Sequence, residues 1–399
     1  MRPVFKQATP ILTKIEKAGF EAYFVGGCVR DHLIGREISD IDIATSATPH
    51  EIKKIFPKTI DVGIEHGTVI VNWNKETYEL TTFRTDGEYT DFRRPSEVTF
   101  IRNLHEDLKR RDFTMNSIAM DKDGTLIDPF QGKQAIQNKM IETVGAASER
   151  FHEDALRMMR AVRFVSQLQF SIEPTTYHAL KEHASLLEKV ATERKTIEFE
   201  KLLNGKNKVQ ALEMLIDTKL YRYLPGLENH EKALLEVMRL EIELLSIVEI
   251  WSLLLYFIGC STSESEKFLR KWKLPLKRIK NILSILQWLK IRLQHEWTYN
   301  TLFTAKLENA ISTEKLLNVL NNQQVLTGVR ELNIQFDDLI IKDSHELAVS
   351  GKDLMQWENK QGGPWLKEAL QLIESAVLTK QVVNEKEKIR EWLQKCNPK

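Results

Sequence analysis

Tyr23-Phe24-Val25-Gly26-Gly27-Cys28-Val29-Arg30-Asp31, with Ser39-Asp40-Ile41-Asp42-Ile43-Ala44-Thr45 a short way behind it, decides the fold. Tyr23 to Val25 reads as a buried strand, and the diglycine as a sharp turn that brings backbone N–H groups near a phosphate. Arg30 supplies a fixed positive charge beside that turn. The second run is again a strand, carrying its acids at its start. Residues i and i+2 of a strand point to one face, so Asp40 and Asp42 converge on the same metal ions while Ile41 and Ile43 turn into the core. An Asp-x-Asp alone carries little weight, because such pairs are common in solvated loops; the flanking strand, turn and arginine give it meaning. The order strand, glycine turn, short helix, acidic strand suits magnesium beside a nucleoside triphosphate. It differs from the Walker A loop, which needs Gly-Lys-Ser/Thr.

Outward from this segment, the chain is long enough at 399 residues for two or more domains, and 42% hydrophobic residues can build real cores. Lys and Arg number 57 against 56 Asp and Glu, a formal charge of +1. Any nucleic-acid contact must therefore come from local patches and not from global attraction. Cys28, Cys260 and Cys396 lie far apart, with no Cys-x-x-Cys pair, which points to a reducing, cytoplasmic compartment. The segment Met1 to Lys6 lacks a signal-peptide apolar run. The most apolar stretch, Leu244 to Cys260, is short for a membrane span and is interrupted by Glu249, so a buried core helix is expected there and no membrane association. Oligomeric state is not legible, and a homodimer is admissible.

The texture changes near residue 145. Before it, short β-rich runs alternate with helices and turns: Thr68 to Trp73, Tyr78 to Phe83, and Ser117 to Met120 with its Asp123-Gly124 turn. After it, helical periodicity dominates, punctuated by Pro225-Gly226, Pro275 and Gly362-Gly363-Pro364. The expected division is an α+β head over 1–145, a helical neck over 146–208, a helical body over 209–300 and a helical tail over 301–399.

The segment Val25 to Asp31 with Asp40-Ile41-Asp42 resembles the first motif of the class II nucleotidyltransferases of the polymerase-β superfamily, the group of CCA-adding enzymes of tRNA and bacterial poly(A) polymerases. The resemblance implies a polymerase-β-type head with a mixed sheet and helices, and a two-metal Mg2+ site. Asp40 and Asp42 are the metal and catalytic carboxylates, and Glu79, on the third strand, is expected to complete the site; alternatively it is a solvated residue pairing with Arg84. The loop Asp86 to Pro95, with two aromatics and Arg93-Arg94, resembles the loop that the family needs for the final adenosine.

Arg110-Arg111-Asp112-Phe113-Thr114-Met115-Asn116 matches the second motif. Adjacent arginines suit a triphosphate, because a guanidinium grips two oxygens at once, and Gly27, Arg30 and Arg111 are read as its holders. Asp112 and Asn116 suit ribose hydroxyls. Asp128 to Lys133 resembles the third motif, a structural hinge between head and neck.

Arg150 to Phe164 contains Asp154 and Arg157, three apart and so expected as neighbours on one helix face. Cytosine and adenine both show an amino donor beside a ring-nitrogen acceptor; uracil and guanine show the reverse. A carboxylate only accepts and a guanidinium only donates, so this pair would take CTP and ATP and leave UTP and GTP with unpaired polar groups, at roughly 1–3 kcal/mol each. On spacing alone such a pair is a surface ion pair. The run Glu153-Asp154-Ala155-Leu156-Arg157 resembles the template motif of class II CCA-adding enzymes, whereas bacterial poly(A) polymerases usually carry proline after the Glu-Asp. Arg160 and Arg163 are read either as nucleotide contacts or as braces of Glu153 and the head. Glu193 to Leu203 resembles the last neck motif, a helix buttressing the template helix through Ile197, Phe199 and Leu202.

Beyond residue 210 the resemblance weakens. Lys267 to Lys273, with Lys277, Arg278 and Lys280, gathers basic residues around Trp272, as in phosphate contact or as a plain solvated helix face. Val349 to Leu354 and Gly362 to Trp365 resemble parts of the family's tail. The resemblance implies stepwise addition of C, C and A to the 3′ end of tRNA from CTP and ATP, with tRNA as partner. An enzyme adding adenosine alone shares almost every motif, and a non-catalytic RNA-binding relative is the more distant alternative.

Overall fold

The computed structural model describes residues 1–87 and 98–396; most of the loop expected to serve the final adenosine, Arg93 and Arg94 included, lies outside the described residues. The chain divides into two compact units, Met1–Glu231 and Lys232–Lys399. This division is coarser than the four segments expected, and its boundary falls inside the segment read as the body.

In the first unit, α1 (Pro3–Lys17) opens on proline, whose missing N–H costs nothing in a first turn. Phe5, Ala8, Ile11, Leu12 and Ile15 form its buried stripe. There follow β1 (Ala22–Val25), α2 (Gly27–Leu33), β2 (Asp42–Thr45), α3 (Pro49–Ile55), β3 (Thr59–Gly63), β4 (Thr68–Trp73), β5 (Glu76–Thr82), β6 (Arg84–Asp86), β7 (Val98–Phe100), α4 (Leu104–Lys109), β8 (Ala119–Met120), β9 (Leu126–Ile127), α5 (Gly132–Gln137) and β10 (Met140–Ile141). Seven of these strands make one mixed sheet in the order β3-β4-β5-β2-β1-β8-β9. β2 and β5 pair in parallel with Asp42 opposite Glu79, whereas β1 runs antiparallel to both β2 and β8. Val25, Ala44, Phe83, Leu104, Leu108 and Ala119 pack one core beneath the acidic strand ends. The mixed-sheet α+β head expected from the sequence is thus observed.

The helices α6 (Ala147–Glu153) and α7 (Leu156–Leu168) follow, then β11 (Ser171–Ile172), α8 (Pro174–His183), α9 (Thr192–Leu203) and α10 (Lys208–Asp217). α7 packs against α9 and α10. α9 turns Phe199, Leu202 and Leu203 inward, but Ile197 is 51% exposed. At about 100° per residue, Ile197 lies across the helix from Phe199, so it faces away from that buried side.

Asp128 ties the turn before α5. Its two carboxylate oxygens accept the N–H groups of Gly132 at 2.7 Å and Lys133 at 2.8 Å. Gly132 packs so tightly that a Cβ there would stand 2.1 Å from the Thr114 carbonyl oxygen.

The second unit is helical: α11 (Glu231–Met238) spans the unit boundary, followed by α12 (Ile247–Ile258), α13 (Thr262–Lys271), α14 (Leu276–Arg292), α15 (Tyr299–Ala305), α16 (Leu307–Leu320), α17 (Val329–Asp337), α18 (Gly351–Glu358), α19 (Pro364–Leu378) and α20 (Lys386–Cys396). α12 is the core helix expected from the apolar stretch. Glu249, which interrupts that stretch, accepts from the Ser246 N–H at 2.7 Å in a capping box. No helix among the described residues is long and apolar enough to cross a membrane. Trp272 is fully buried, 4.9 Å from Trp251 ring to ring, and Phe268 is buried beside them. The aromatic inside the basic cluster is therefore a core residue and offers no stacking face; the helix has turned its lysines outward and its tryptophan inward.

Candidate active site

The strand β1 ends in a turn at Gly26, whose φ of +70° and ψ of −133° lie where only glycine is at ease. A Cβ at Gly26 would sit 3.3 Å from Arg111 Nη1 and 3.6 Å from Asp42 Oδ2. The turn thus brings backbone, cation and carboxylate together because no side chain intervenes. Around it opens a cleft of about 640 Å3, lined by Gly26, Gly27, Arg30, Asp42, Arg111, Asp112, Asn116, Asp154, Arg157, Arg160, Arg163, Phe164 and Arg194 among others.

Asp42 begins β2 and is half-buried. Burial first, then the negative charge of Glu79 across the parallel pair, pushes its carboxyl up to about 6, against the pull of Arg111. Asp40 departs from the expected strand geometry. β2 starts only at Asp42, so Asp40 stands outside the pleat and is exposed, accepting a hydrogen bond from Ser39 Oγ at 2.9 Å. Neither Asp40 nor Glu79 lines the cleft. Among the described residues no three His, Cys, Asp or Glu side chains gather as metal ligands.

The second motif forms a buried clamp. Asp107, within α4, pairs with Arg110 at 2.8 Å and Arg111 at 3.0 Å. Burial opposes its charge, but the two guanidiniums outweigh it and hold the carboxyl below its ordinary value. Asp112 accepts from the Phe113 N–H at 2.8 Å, from Asn116 Nδ2 at 3.0 Å and from Arg160 Nε at 2.7 Å. Burial again opposes ionisation, and Arg160 with these hydrogen bonds holds the Asp112 carboxyl well below the usual range. Arg30 donates to Asn116 Oδ1 at 2.8 Å and grips Asp31 through Nε and Nη2. Arg30, Asn116, Asp112 and Arg160 thus form one chain from α2 to α7. The Asp112 contact is the brace to the head that one reading of Arg160 expects, and Arg160 also lines the cleft.

Asp154 and Arg157 do not share a helix face as expected. Asp154 lies between α6 and α7 with φ −141° and ψ 100°, and its Oδ1 accepts the Leu156 N–H at 3.1 Å. Asp and Asn compete well for backbone N–H groups at helix starts, and here that competition breaks the helix. The Asp154 carboxylate is held by Arg194 of α9 through two bonds of 3.2 and 2.7 Å. Arg157 is buried and donates to Glu153 Oε2 at 2.5 Å, to the Arg150 carbonyl at 3.1 Å and to the Arg110 carbonyl at 2.9 Å. A carboxylate offers about four acceptor positions and a guanidinium five N–H donors, so three contacts on each leave both able to take a further partner. Arg163 lies 2.9 Å from Glu198 of α9. Burial, then the charge of Arg160, lowers its guanidinium to about 10.

Arg194 is expected from the sequence only in a buttressing helix and Phe164 in no role, yet both line the cleft. The signal for Arg194 was its place in Glu193-Arg194; what it reaches depends on how α9 lies on α7.

The head, residues 22–142, matches the family model of the poly A polymerase head domain; residues 169–231 match that of a probable RNA- and SrmB-binding site of polymerase A, and residues 242–393 that of tRNA nucleotidyltransferase domain 2. The chain is 51% identical to a CCA-adding enzyme of Geobacillus sp. (strain WCH70), over 98% of this chain and 97% of that one. It is 48% identical to a CCA-adding enzyme of Bacillus cereus (strain B4264), over 98% and 99%. Its structure is similar to that of the Bacillus stearothermophilus CCA-adding enzyme in complex with CTP, with a TM-score of 0.92 at 47% identity, covering 100% of this chain and 98% of that one. The Thermotoga maritima CCA-adding enzyme complexed with tRNA, at 20% identity and a TM-score of 0.66 over 100% and 97%, shares the fold.

Proposed function

The chain belongs to the family of CCA-adding enzymes, and on that premise we propose that it adds C, C and A in turn to the 3′ end of tRNA, from CTP and ATP and without a nucleic-acid template. The observation that carries this reading is that one cleft is lined both by Asp42 at the glycine turn and by Asp154 and Arg157 at the α6–α7 break. A bond-making acid and a base-reading pair face the same space.

The tRNA 3′-hydroxyl attacks the α-phosphate of CTP or ATP; the new O–P bond forms as the bond to the β-phosphate bridge breaks, and pyrophosphate leaves. Gly27, Arg30 and Arg111 hold the triphosphate, with the N–H edges of Arg111 steadied from behind by Asp107. Asp112 and Asn116 fix the arginines and border the ribose. Asp154 accepts from the amino group of cytosine or adenine through its remaining lone pair, and Arg157 donates to the adjacent ring nitrogen. Arg160 and Arg163 supply positive charge along the cleft. Uracil and guanine would set donors against Arg157 and acceptors against Asp154, leaving unpaired buried groups.

A divalent cation fits Asp42, where Glu79 and Asp40 add negative charge to a half-buried carboxylate. Asp40 and Asp42 would hold it, and Mg2+ is the ion that binds through one or two carboxylates plus substrate phosphates and water. When bound, it activates the attacking hydroxyl and neutralises charge on the leaving pyrophosphate. Glu79 then acts on Asp42 through its charge.

Addition of the whole CCA is favoured over adenosine alone by the 48–51% identity to CCA-adding enzymes over nearly the full chain. The test is incubation with tRNA shortened by one, two or three nucleotides and labelled CTP or ATP. Incorporation of both cytidines and then adenosine is expected, and Asp40→Ala with Asp42→Ala abolishes it while the fold persists. Retained incorporation in that double variant would remove the assignment of the acids. Asp154→Ala should lose selection against UTP or lose activity, and an unchanged nucleotide preference would remove the template reading.

A further inference from the structure

The cleft contains an aromatic ring around which three of its arginines collect. Phe164, near the end of α7 and 3% exposed, has the Arg163 guanidinium 4.1 Å, the Arg30 guanidinium 5.1 Å and the Arg160 guanidinium 5.7 Å from its ring centre. All three fall within the roughly 6 Å over which a ring quadrupole attracts a cation. Phe113 meets the ring edge-on at 5.7 Å and 89°, which fixes its orientation. One ring thus joins α2, the segment Arg110 to Asn116, and α7.

Each guanidinium also has a carboxylate: Asp31 at 2.9 Å from Arg30, Asp112 at 2.5 Å from Arg160, and Glu198 at 2.9 Å from Arg163. The third of these is poorly directed, since Arg163 Nε and Glu198 Oε2 are buried without hydrogen-bond geometry. Three like charges crowded into one cleft repel, and Arg160 and Arg30 both disfavour the charge on Arg163. The three carboxylates offset that repulsion only in part, since the Arg163–Glu198 pair is poorly directed. A ring attracts the cations and leaves their charge in place for an anionic ligand.

We propose that Phe164 is a positioning residue for nucleotide binding, its ring holding Arg30, Arg160 and Arg163 together so that their charge serves the triphosphate of CTP or ATP. This rests on the reading of the cleft given above. The geometry separates it from a plain core role, because a core phenylalanine needs only apolar neighbours.

The experiment replaces Phe164 in the full chain with phenylalanines carrying one, two and three ring fluorines, which drain the π face with little change of shape, and with Leu, which removes it. KM and kcat are measured for CTP on tRNA lacking its CCA and for ATP on tRNA lacking only the terminal adenosine, with Tm recorded for each variant. The expected result is a KM that climbs stepwise with fluorination to about tenfold, more than kcat changes, at near-constant Tm, with Phe164→Leu at or beyond the end of the series. A flat KM across the fluorinated series overturns the proposal, even if Phe164→Leu loses Tm or affinity, because shape alone would then explain the residue. The unmodified chain separates the two readings. If it incorporates no CMP, the function proposed above fails and this inference with it; if it incorporates CMP and the series is flat, only this inference fails.

Discussion

Gly132→Ala probes the cleft from outside it. The added methyl would stand 2.1 Å from the Thr114 carbonyl oxygen, 2.7 Å from Ile118 Cγ1 and 2.9 Å from the Thr114 carbonyl carbon. Two of these atoms are backbone, so no rotamer change relieves the contact. To reach a tolerable separation α5 must retreat by about 1 Å, and overpacking of this kind costs roughly 1–3 kcal/mol. The retreat also stretches the bonds from Gly132 and Lys133 N–H to Asp128, each worth about 1 kcal/mol. Together the loss is on the order of 3–5 kcal/mol. Thr114 leads into Asn116, which carries Arg30 on one side and Asp112 on the other, so CMP incorporation should fall with stability. Because the chain has two compact units, hydrogen exchange read at peptides of α5 and α7 is the assay, since it assigns the loss to the elements around Gly132. Gly351→Ala is the control: a Cβ there meets nothing nearer than 3.8 Å, and protection should stay within about 1 kcal/mol of the parent. A Gly132→Ala chain losing less than about 1 kcal/mol, or keeping full incorporation, would refute this account of why the glycine is there.

Other outcomes follow from the same geometry. Asp112, held below the ordinary carboxylate value, contributes stability that is present above its unfolded pKa near 3.9 and lost as pH falls through the folded one; Arg160→Ala should therefore move the acid unfolding of the first unit to higher pH, followed by hydrogen exchange, and an unmoved transition would contradict it. Arg157→Lys keeps the charge but cannot reach Glu153, the Arg150 carbonyl and the Arg110 carbonyl together; loss of two bonds predicts about 2 kcal/mol of protection in α7 and weaker discrimination against UTP. Trp272→Ala should cost the second unit about 3–5 kcal/mol through its contact with Trp251. By contrast, Lys271→Glu with Lys277→Glu, both at exposed positions, should leave that unit's stability almost unchanged, and their tRNA affinity compared with the parent reads out whether the outward lysines meet phosphate.

Much of this was legible because local chemistry enforced it. The glycine turn follows from a short segment whose backbone options are few, and Glu79 was legible as a strand carboxylate, though its parallel pairing with Asp42 and the clamp of Asp107 on Arg110 and Arg111 were not. The core helix over Ile247–Ile258 was readable in the same way, and its one awkward residue, Glu249, turned out to be the capping partner of Ser246. What escaped were properties set between segments or by competition at an element's end. Asp40 falls outside β2 because the strand begins two residues later than the alternation suggests. Trp272 looked like part of a basic surface because periodicity does not say which face a neighbouring helix covers. Arg194 reaches Asp154 from 40 residues away, a distance that no local pattern spans.

The break at Asp154 has a mechanical meaning. Two side chains on one helix are locked at a separation set by helical pitch, so a pair three apart forms a caliper of fixed jaw. Here one jaw, Arg157, is anchored in α7 and on the Arg110 carbonyl, while the other stands on the two-residue joint between α6 and α7. Arg157 is tied to α6 as well, through Glu153 and the Arg150 carbonyl, while the carboxylate takes its place from the Arg194 contact of α9 and not from helical pitch. On the proposed reading of this pair, the gap of the gauge is set from a third helix.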